Sequence, residues 1–266
     1  MIRQPVVAGL FYPANAVELK RQLAIYIPKG DQRQATAAVL PHAGYVYSGE
    51  VAGEVISRIN VPQQVILLGP NHHGKGKQMA VSAVDAWATP LGEVVVAADL
   101  RAHLREEIPQ LELDDSAHQQ EHSLEVLLPF LQYVQPQLEI VPIALKHCGL
   151  EQLIELGAGV ARAIKSWNEP VLLIASSDMN HFLPAAENTR LDALAIDAMT
   201  AFEPQRLYQV VTDQQISMCG VFAVVTVMEA AGLLGAQDCE LIRYSHSGET
   251  SGDNDRVVGY AGLLID

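Results

Sequence analysis

The hydrophobic positions of this 266-residue chain fall into two patterns that alternate along it. One is a short, uninterrupted apolar run rich in β-branched residues, which is typical of a strand covered on both faces. The other has apolar residues at helical spacing, as in Leu19, Leu23 and Ile27. Strands that alternate with helices predict an α/β fold with a largely parallel sheet and helices on both of its faces.

The pattern predicts strands at 35–40, 64–68, 79–84, 93–97, 139–145, 171–175, 241–244 and 257–264. It predicts helices at 17–27, 48–59, 98–107, 121–134 and 150–166, two within 185–211, and one from about 219 to 232. The T-P-L-G segment at 89–92 indicates a turn. No linker, low-complexity segment or internal repeat divides the chain, so we expect one domain over residues 1–266.

Three of the predicted strands run directly into segments that contain histidine. The strands that end at residues 40, 68 and 175 are followed by His42, by His72 and His73, and by Asp178 and His181. Ligands of open parallel α/β sheets collect at the carboxyl ends of the strands. If the three strands are parallel neighbours, we expect these side chains to meet at one edge of the sheet.

Histidines at separate strand ends indicate a metal site, because imidazole is the commonest metal ligand in proteins. The alternative is that each is a loop histidine with local hydrogen bonds. Of the adjacent pair we assign His72 to the metal and His73 to a supporting position. Cys219 stands at the start of a predicted hydrophobic helix, where the helix dipole would lower the pKa of its thiol and favour metal binding. A small buried core residue is the alternative for Cys219.

Asp178 and His181 lie three residues apart in a polar segment directly after an apolar strand. We predict an acid/base role for His181, with Asp178 orienting an imidazole or completing the metal shell. The structural alternative makes Ser176, Ser177 and Asp178 caps or turn residues. Tyr45 follows His42 closely enough to hydrogen-bond a substrate.

The segment from His118 to His122 reads H-x-x-E-H, with Glu121 in the fourth position. In inverted zincins this pattern puts two histidines on one helical turn to bind zinc, and the glutamate activates water. Alternatively, Glu121, His122 and Glu125 form one polar helix face directed at the histidine cluster. We favour the second interpretation and predict catalytic roles for Glu121 and His122.

Composition limits the classes of function. The formal net charge of −14 argues against a surface for nucleic acid or an anionic membrane. The first residues do not resemble a signal peptide, and no apolar run reaches the roughly 18 residues of a membrane helix. Cys148, Cys219 and Cys239 are an odd number without a C-x-x-C pair, so we expect no disulfide framework. These features favour a cytoplasmic protein.

Distinctive blocks of residues are spread over nearly the whole chain. The blocks are A-G-L-F-Y-P at 8–13, P-H-A-G-Y at 41–45 with S-G at 48–49, G-P-N-H-H at 69–73, T-P-L-G at 89–92, E-H-S-L-E at 121–125 with L-P-F-L at 128–131, S-S-D at 176–178 with His181, C-G at 219–220, and S-G-E, G-D and V-G-Y within 247–260. Taken together and in this order, these blocks resemble the Memo family.

The resemblance implies a fold similar to class III extradiol ring-cleavage dioxygenases, with a central, mostly parallel mixed sheet between helical layers. It implies a mononuclear metal site at His42, His72 and Cys219, with Asp178 and His181 lining the same pocket. It also implies a functional link to radical S-adenosylmethionine proteins and to AMMECR-type proteins. His118 is not part of the family's pattern, which counts against the zincin interpretation.

The third ligand distinguishes this site from that of ring-cleaving enzymes. Those dioxygenases hold Fe(II) with two histidines and a carboxylate. A thiolate at Cys219 is softer, favours Cu(I) or zinc, and is open to oxidation during oxygen chemistry. Similarity of fold therefore does not establish dioxygenase chemistry.

Three hypotheses follow. The first is a metal-dependent, dioxygenase-like oxidoreductase acting on a small substrate, with iron or copper preferred over zinc. The second is a zinc-type hydrolase that uses the same pocket with His181 or Glu121 as base. The third is a non-catalytic module in which the pocket binds a peptide or protein partner.

Overall fold

Twelve strands form one hydrogen-bonded sheet in the computed structural model, which describes residues 1–266. In chain order the strands are β1 (Ile2–Arg3), β2 (Ala37–Leu40), β3 (Gln64–Pro70), β4 (Met79–Val81), β5 (Ala86–Thr89), β6 (Gly92–Val96), β7 (Glu112–Leu113), β8 (Glu139–Leu145), β9 (Val171–Ser176), β10 (His181–Leu183), β11 (Cys239–His246) and β12 (Val257–Ile265).

Helices connect these strands and cover the sheet. They are α1 (Ala16–Tyr26), α2 (Tyr45–Ser57), α3 (Ala98–Glu107), α4 (Leu128–Val134), α5 (Leu150–Ser166), α6 (Ala185–Thr200), α7 (Pro204–Asp213), α8 (Val221–Leu234) and α9 (Ser247–Ser251). Two 3₁₀ turns, Asp115–Ala117 and Glu125–Leu127, precede α4. None of the helices is long and apolar enough to cross a membrane.

The centre of the sheet is parallel and has the strand order β8-β3-β9-β2. In register, Leu68 of β3 lies beside Ala175 of β9, and Ser176 of β9 lies beside Leu40 of β2. Antiparallel β12 then pairs with β2 and makes the sheet mixed. The predicted α/β class with a mostly parallel sheet is confirmed, and β2, β9 and β3 do end side by side.

The parallel strands are covered on both faces, as their uninterrupted apolar runs predict. Successive residues of β3 alternate between two buried clusters: Val65 and Leu67 pack with side chains of α1, α2 and α4, whereas Ile66 and Leu68 pack with those of α3 and α5 to α8. This alternation is the period of two that a strand imposes on its side chains. The two helical layers therefore leave only the strand ends open for polar chemistry.

The predicted helix at 121–134 is wrong in its first part. Residues 121–124 are not helical, and the α-helix begins only at Leu128. The cause is the Glu121 carboxylate, which accepts the backbone N–H groups of His122 and Ser123 at 2.9 Å each. Such local bonds from an acidic side chain to the backbone compete with helix formation.

The other deviations concern short elements. The sequence did not predict β1, β5, β7, β10 or α9, and β4 ends at Val81 rather than at residue 84. Elements of two to five residues carry too little periodicity to be recognised in a sequence.

Candidate metal centre

His42 lies two residues after β2, and its surroundings fix the protonated ring nitrogen. Its backbone N–H donates to Asp178 Oδ1 at 2.7 Å, and its Nδ1 lies 2.8 Å from Ser176 Oγ. The Ser176 hydroxyl gives its only proton to the Ser123 carbonyl at 2.7 Å, so it accepts a hydrogen bond from His42 Nδ1–H. The Nε2 atom of His42 therefore carries the lone pair, which faces the Cys219 sulfur.

His72 is held in the same tautomer by Glu121. Its Nδ1 lies 2.9 Å from Glu121 Oε1, and its backbone N–H donates to Oε2 at 2.5 Å. Burial alone would raise the pKa of Glu121, but the His72 and Ser123 donors outweigh burial and hold that pKa below its usual range. An ionised carboxylate on Nδ1–H leaves His72 Nε2 free to bind a metal.

His122 completes a group of three imidazoles. Candidate ligand atoms of His42, His72 and His122 all lie within 4.8 Å of one another. The rings of His72 and His122 stack with centroids 4.8 Å apart. Burial and neighbouring imidazoles lower the pKa of His42 to about 3 and that of His122 to about 4. Both rings are thus neutral at pH 7, which is the form that binds metal ions.

Cys219 lies beside this group, with Sγ 3.4 Å from His42 Nε2. The approach depends on Gly220, because a Cβ there would lie only 2.1 Å from the Ser176 carbonyl oxygen. The expectation of a lowered thiol pKa is wrong for the protein groups alone, because burial and then the Asp178 charge raise the pKa of Cys219. A bound metal would reverse this, because a coordinating thiol is deprotonated.

Asp178 and His181 lie on the side of the site next to Cys219. The Asp178 backbone N–H donates to Cys219 Sγ at 3.3 Å, and burial raises the pKa of the Asp178 carboxyl. His181 Nδ1 lies 3.0 Å from the Ser217 carbonyl, which can only accept, so Nδ1 carries the proton. His181 Nε2 is then a proton acceptor.

Comparisons with known proteins decide the family. The sequence model described as Memo-like protein matches residues 3–264. MEMO1 family proteins of Aquifex aeolicus and Archaeoglobus fulgidus are 40% and 41% identical to this chain, over 99% of it and 99% of each of them. The chain belongs to the Memo family.

A solved structure shows the same fold. The crystal structure of an uncharacterized protein from Escherichia coli K12 matches with a TM-score of 0.61 at 14% identity, covering 88% of this chain and 100% of that one. At this identity the match concerns the fold alone.

Within this Memo-family fold, the three ligands that the sequence resemblance implies lie close together. His42 and His72 belong to the imidazole group, and Cys219 Sγ lies beside His42. His122, which the sequence suggested as a catalytic residue, is placed as a further candidate ligand. His122 directly follows Glu121, the residue that holds His72, and this position could have indicated His122 as a ligand.

The remaining predicted site residues have distinct positions. Tyr45 is 2% exposed, donates its hydroxyl to the Val126 carbonyl at 2.8 Å, and packs against Phe130. His73 is exposed in the turn after β3. His118 is outside the imidazole group and has Nε2 bound to the Ala80 carbonyl, so H-x-x-E-H does not form a zinc site on one helical turn.

A polar network built on the buried Asn180 and Asp192 holds the backbone of His181. Ser217 Oγ accepts the His181 backbone N–H at 2.8 Å, and Asn180 Oδ1 accepts the Ser217 backbone N–H at 2.9 Å. Asp192 Oδ1 accepts the Asn180 backbone N–H at 2.8 Å, and Oδ2 accepts the Tyr244 hydroxyl at 2.7 Å. This network could not be predicted from the sequence, because its members come from separate elements.

Asp192→Asn tests this network through its pH dependence. Burial raises the pKa of Asp192 to about 6, so the stability that its protonation contributes is complete below about pH 4 and is lost as the pH rises through 6. The variant lacks this titration. We expect the deficit in unfolding free energy of Asp192→Asn, measured by urea denaturation, to shrink by roughly 2 kcal/mol between pH 4 and pH 7. A pH-independent difference would contradict the prediction.

Proposed function

We propose that this Memo-family protein is a metal-dependent oxidoreductase that acts on a small organic substrate at the ends of β2, β3 and β9. One mononuclear ion, iron or copper in preference to zinc, is held by His42, His72 and a third donor, His122 or Cys219. The observation that carries the proposal is the fixed tautomer of two histidines. Ser176 and Glu121 occupy the Nδ1–H groups of His42 and His72, which leaves both Nε2 lone pairs for a metal.

This arrangement fits a metal better than it fits a purely structural cluster. Metal-binding histidines characteristically donate their second ring N–H to a carboxylate, carbonyl or hydroxyl. Structural histidines would instead use both nitrogens in hydrogen bonds within the protein. In His42 the one partner of Nε2 is the Cys219 Sγ at 3.4 Å, a weak hydrogen-bonding group that is itself a strong metal ligand once deprotonated.

The protein side chains divide the other tasks. A bound redox metal would supply electron transfer and a Lewis-acid site for substrate or oxygen. His181 Nε2 accepts a proton from the substrate, because its Nδ1–H is committed to Ser217. Asp178 orients His42 through the backbone N–H. Glu121 acts as a positioning residue, since its carboxylate already accepts three backbone N–H groups and one imidazole.

A zinc-type hydrolase is the second candidate, and the third imidazole favours it. Three histidines with an open position form one of the standard catalytic zinc sites. In that case His181 serves as the base, since the fully occupied Glu121 carboxylate has no room for a water proton.

The experiment is metal analysis by mass spectrometry of protein purified anaerobically from its native host, followed by oxygen-uptake assays with candidate substrates. Stoichiometric iron or copper, together with oxygen consumption that requires His181, supports the oxidoreductase. Bound zinc together with turnover that does not need oxygen would contradict the oxidoreductase and support the hydrolase. Metal-free protein that binds a partner without turnover would leave only a binding module.

A further inference from the structure

A β-bulge next to His181 holds Phe182 in an unusual backbone conformation. His181 of β10 pairs with Val258 of β12, and Leu183 pairs with the adjacent Val257. Phe182 is therefore the extra residue of the bulge. Its φ is +66°, in the left-handed region that bulky residues rarely adopt. Bulges are frequent beside active sites, where they redirect a side chain.

Packing does not account for this conformation of Phe182. Phe202 is also left-handed, with φ +57°, but it is partly buried against the hydrophobic core. Phe182 is instead 58% exposed. Its ring meets the edge of the His181 ring, with centroids 5.6 Å apart. A strained residue that gains little from burial and contacts the proposed proton acceptor indicates a functional constraint.

Arg256 brings a positive charge to the same place. Its guanidinium lies over the Phe182 ring, with Cζ 5.4 Å from the ring centroid. The side chain is exposed and forms no ion pair or hydrogen bond with the rest of the chain. Exposed arginines elsewhere in this acidic protein do pair, as Arg190 pairs with Glu187. The Arg256 guanidinium is therefore open to an external anion.

The acidic residues of the same loop do not neutralise this charge. Asp253 Oδ1 accepts the backbone N–H of Asp255 at 2.9 Å, and neither carboxylate lies within ion-pair distance of the Arg256 guanidinium. A planar guanidinium matches the two oxygens of a carboxylate, and an aromatic ring packs well against another flat group. Charge and ring thus call for two different parts of one ligand.

We propose that Phe182 and Arg256 form the recognition subsite for the substrate, and that the substrate is a flat organic carboxylate. Its carboxylate pairs with Arg256, and its flat body packs against the Phe182 ring. The contact between Phe182 and His181 brings such a molecule within reach of His181 Nε2. The inference rests on the proposed function, in which His181 Nε2 accepts the proton of the substrate.

The test is an NMR titration of the full-length protein loaded with redox-silent zinc. Benzoate has a flat ring and a carboxylate, cyclohexanecarboxylate has the charge without the flat ring, and benzyl alcohol has the ring without the charge. We expect benzoate to bind about fivefold more tightly than either, as one exposed ion pair or one aromatic contact gives. Backbone amide signals of residues 181–183 and 256–258 should shift on binding.

Four variants locate the effect. Arg256→Gln should abolish the preference for benzoate over benzyl alcohol, and Arg256→Lys should restore part of it. Arg206→Gln removes another exposed arginine and should leave the preference unchanged. Phe182→Leu keeps an apolar side chain at the same backbone position and should abolish the preference for benzoate over cyclohexanecarboxylate. Because all three positions are exposed, we expect these variants to fold.

Two results would overturn the subsite. One is equal affinity for the three probes. The other is benzoate binding that is unchanged in Arg256→Gln but lost in His42→Ala, which would place the carboxylate on the metal. Neither result depends on turnover, so the oxidoreductase proposal would stand or fall separately, on its metal content and oxygen uptake.

Discussion

His42→Ala is expected to lower metal affinity by a hundredfold or more and to leave the purified protein without stoichiometric metal. Zinc sites with about four ligands bind with roughly 10–16 kcal/mol, so one ligand corresponds to about 3 kcal/mol. His42 belongs to the imidazole group and also contacts Cys219, so its loss damages either choice of third ligand. The measurement is competition with a chelator of known affinity, for zinc and for Cu(I).

His73→Ala is the matched control for this experiment. It removes an imidazole from the exposed turn next to His72, but His73 is not a member of the imidazole group. Metal affinity should stay within a factor of about three of the wild type, which is within about 0.7 kcal/mol. Equal losses in both variants would mean that the metal is held elsewhere.

The third ligand can be assigned by comparing how strongly each variant loses affinity for a soft metal ion, Cu(I), and for zinc. Thiolates select Cu(I), whereas imidazole suits zinc and iron as well as copper. If Cys219 is a ligand, Cys219→Ala should weaken Cu(I) binding far more than zinc binding. If His122 is the ligand instead, His122→Ala should weaken zinc binding at least as much. Both donors lie close to His42, so the pair of variants decides between them.

The strand ends could be predicted because they depend on local pattern. The apolar runs before His42, His72 and Asp178 are long enough to identify parallel strands, and parallel strands bring their carboxyl ends to one edge. His72 belongs to the imidazole group and His73 does not, but the assignment of His72 as the ligand and of His73 to a supporting position stays a prediction. The Glu121 hydrogen bonds hold His72 in that group, and they connect residues 49 positions apart.

What the sequence could not supply were specific side-chain hydrogen bonds, both local ones and ones between distant segments. The 121–134 stretch has helical apolar spacing, and only the engagement of Glu121 with backbone N–H groups shows why its first residues are not helical. The wrong helix also affected the prediction for His122, because a side chain on a helix would point in a different direction from the one that His122 has before the helix begins. The N-terminal segment has no periodicity at all, yet it carries Arg3, the buried partner of Glu125.

Glu125→Gln is expected to destabilise the protein by about 3–5 kcal/mol. The Glu125 side chain is 0% exposed and pairs with Arg3 Nη1 at 2.8 Å. It also accepts the backbone N–H groups of Val6 and Val7 and the Tyr12 hydroxyl at 2.7 Å. Glutamine would leave the buried guanidinium without its counter-charge and would turn one acceptor into a donor that faces other donors. Urea denaturation at pH 7 measures the loss.

The control is Glu50→Gln, which breaks an ion pair of similar geometry on the surface. Glu50 lies 2.7 Å from Arg243, but its side chain is 62% exposed. Exposed ion pairs contribute about 0–1 kcal/mol, so this variant should be nearly as stable as the wild type. A loss of unfolding free energy below about 1 kcal/mol in Glu125→Gln would mean that this carboxylate does not hold the N-terminal segment in place.

Arg3 also donates to the Glu121 carbonyl, and Glu121 holds His72. If Glu125→Gln loses the expected stability of about 3–5 kcal/mol, its metal binding at His72 should therefore be weaker as well.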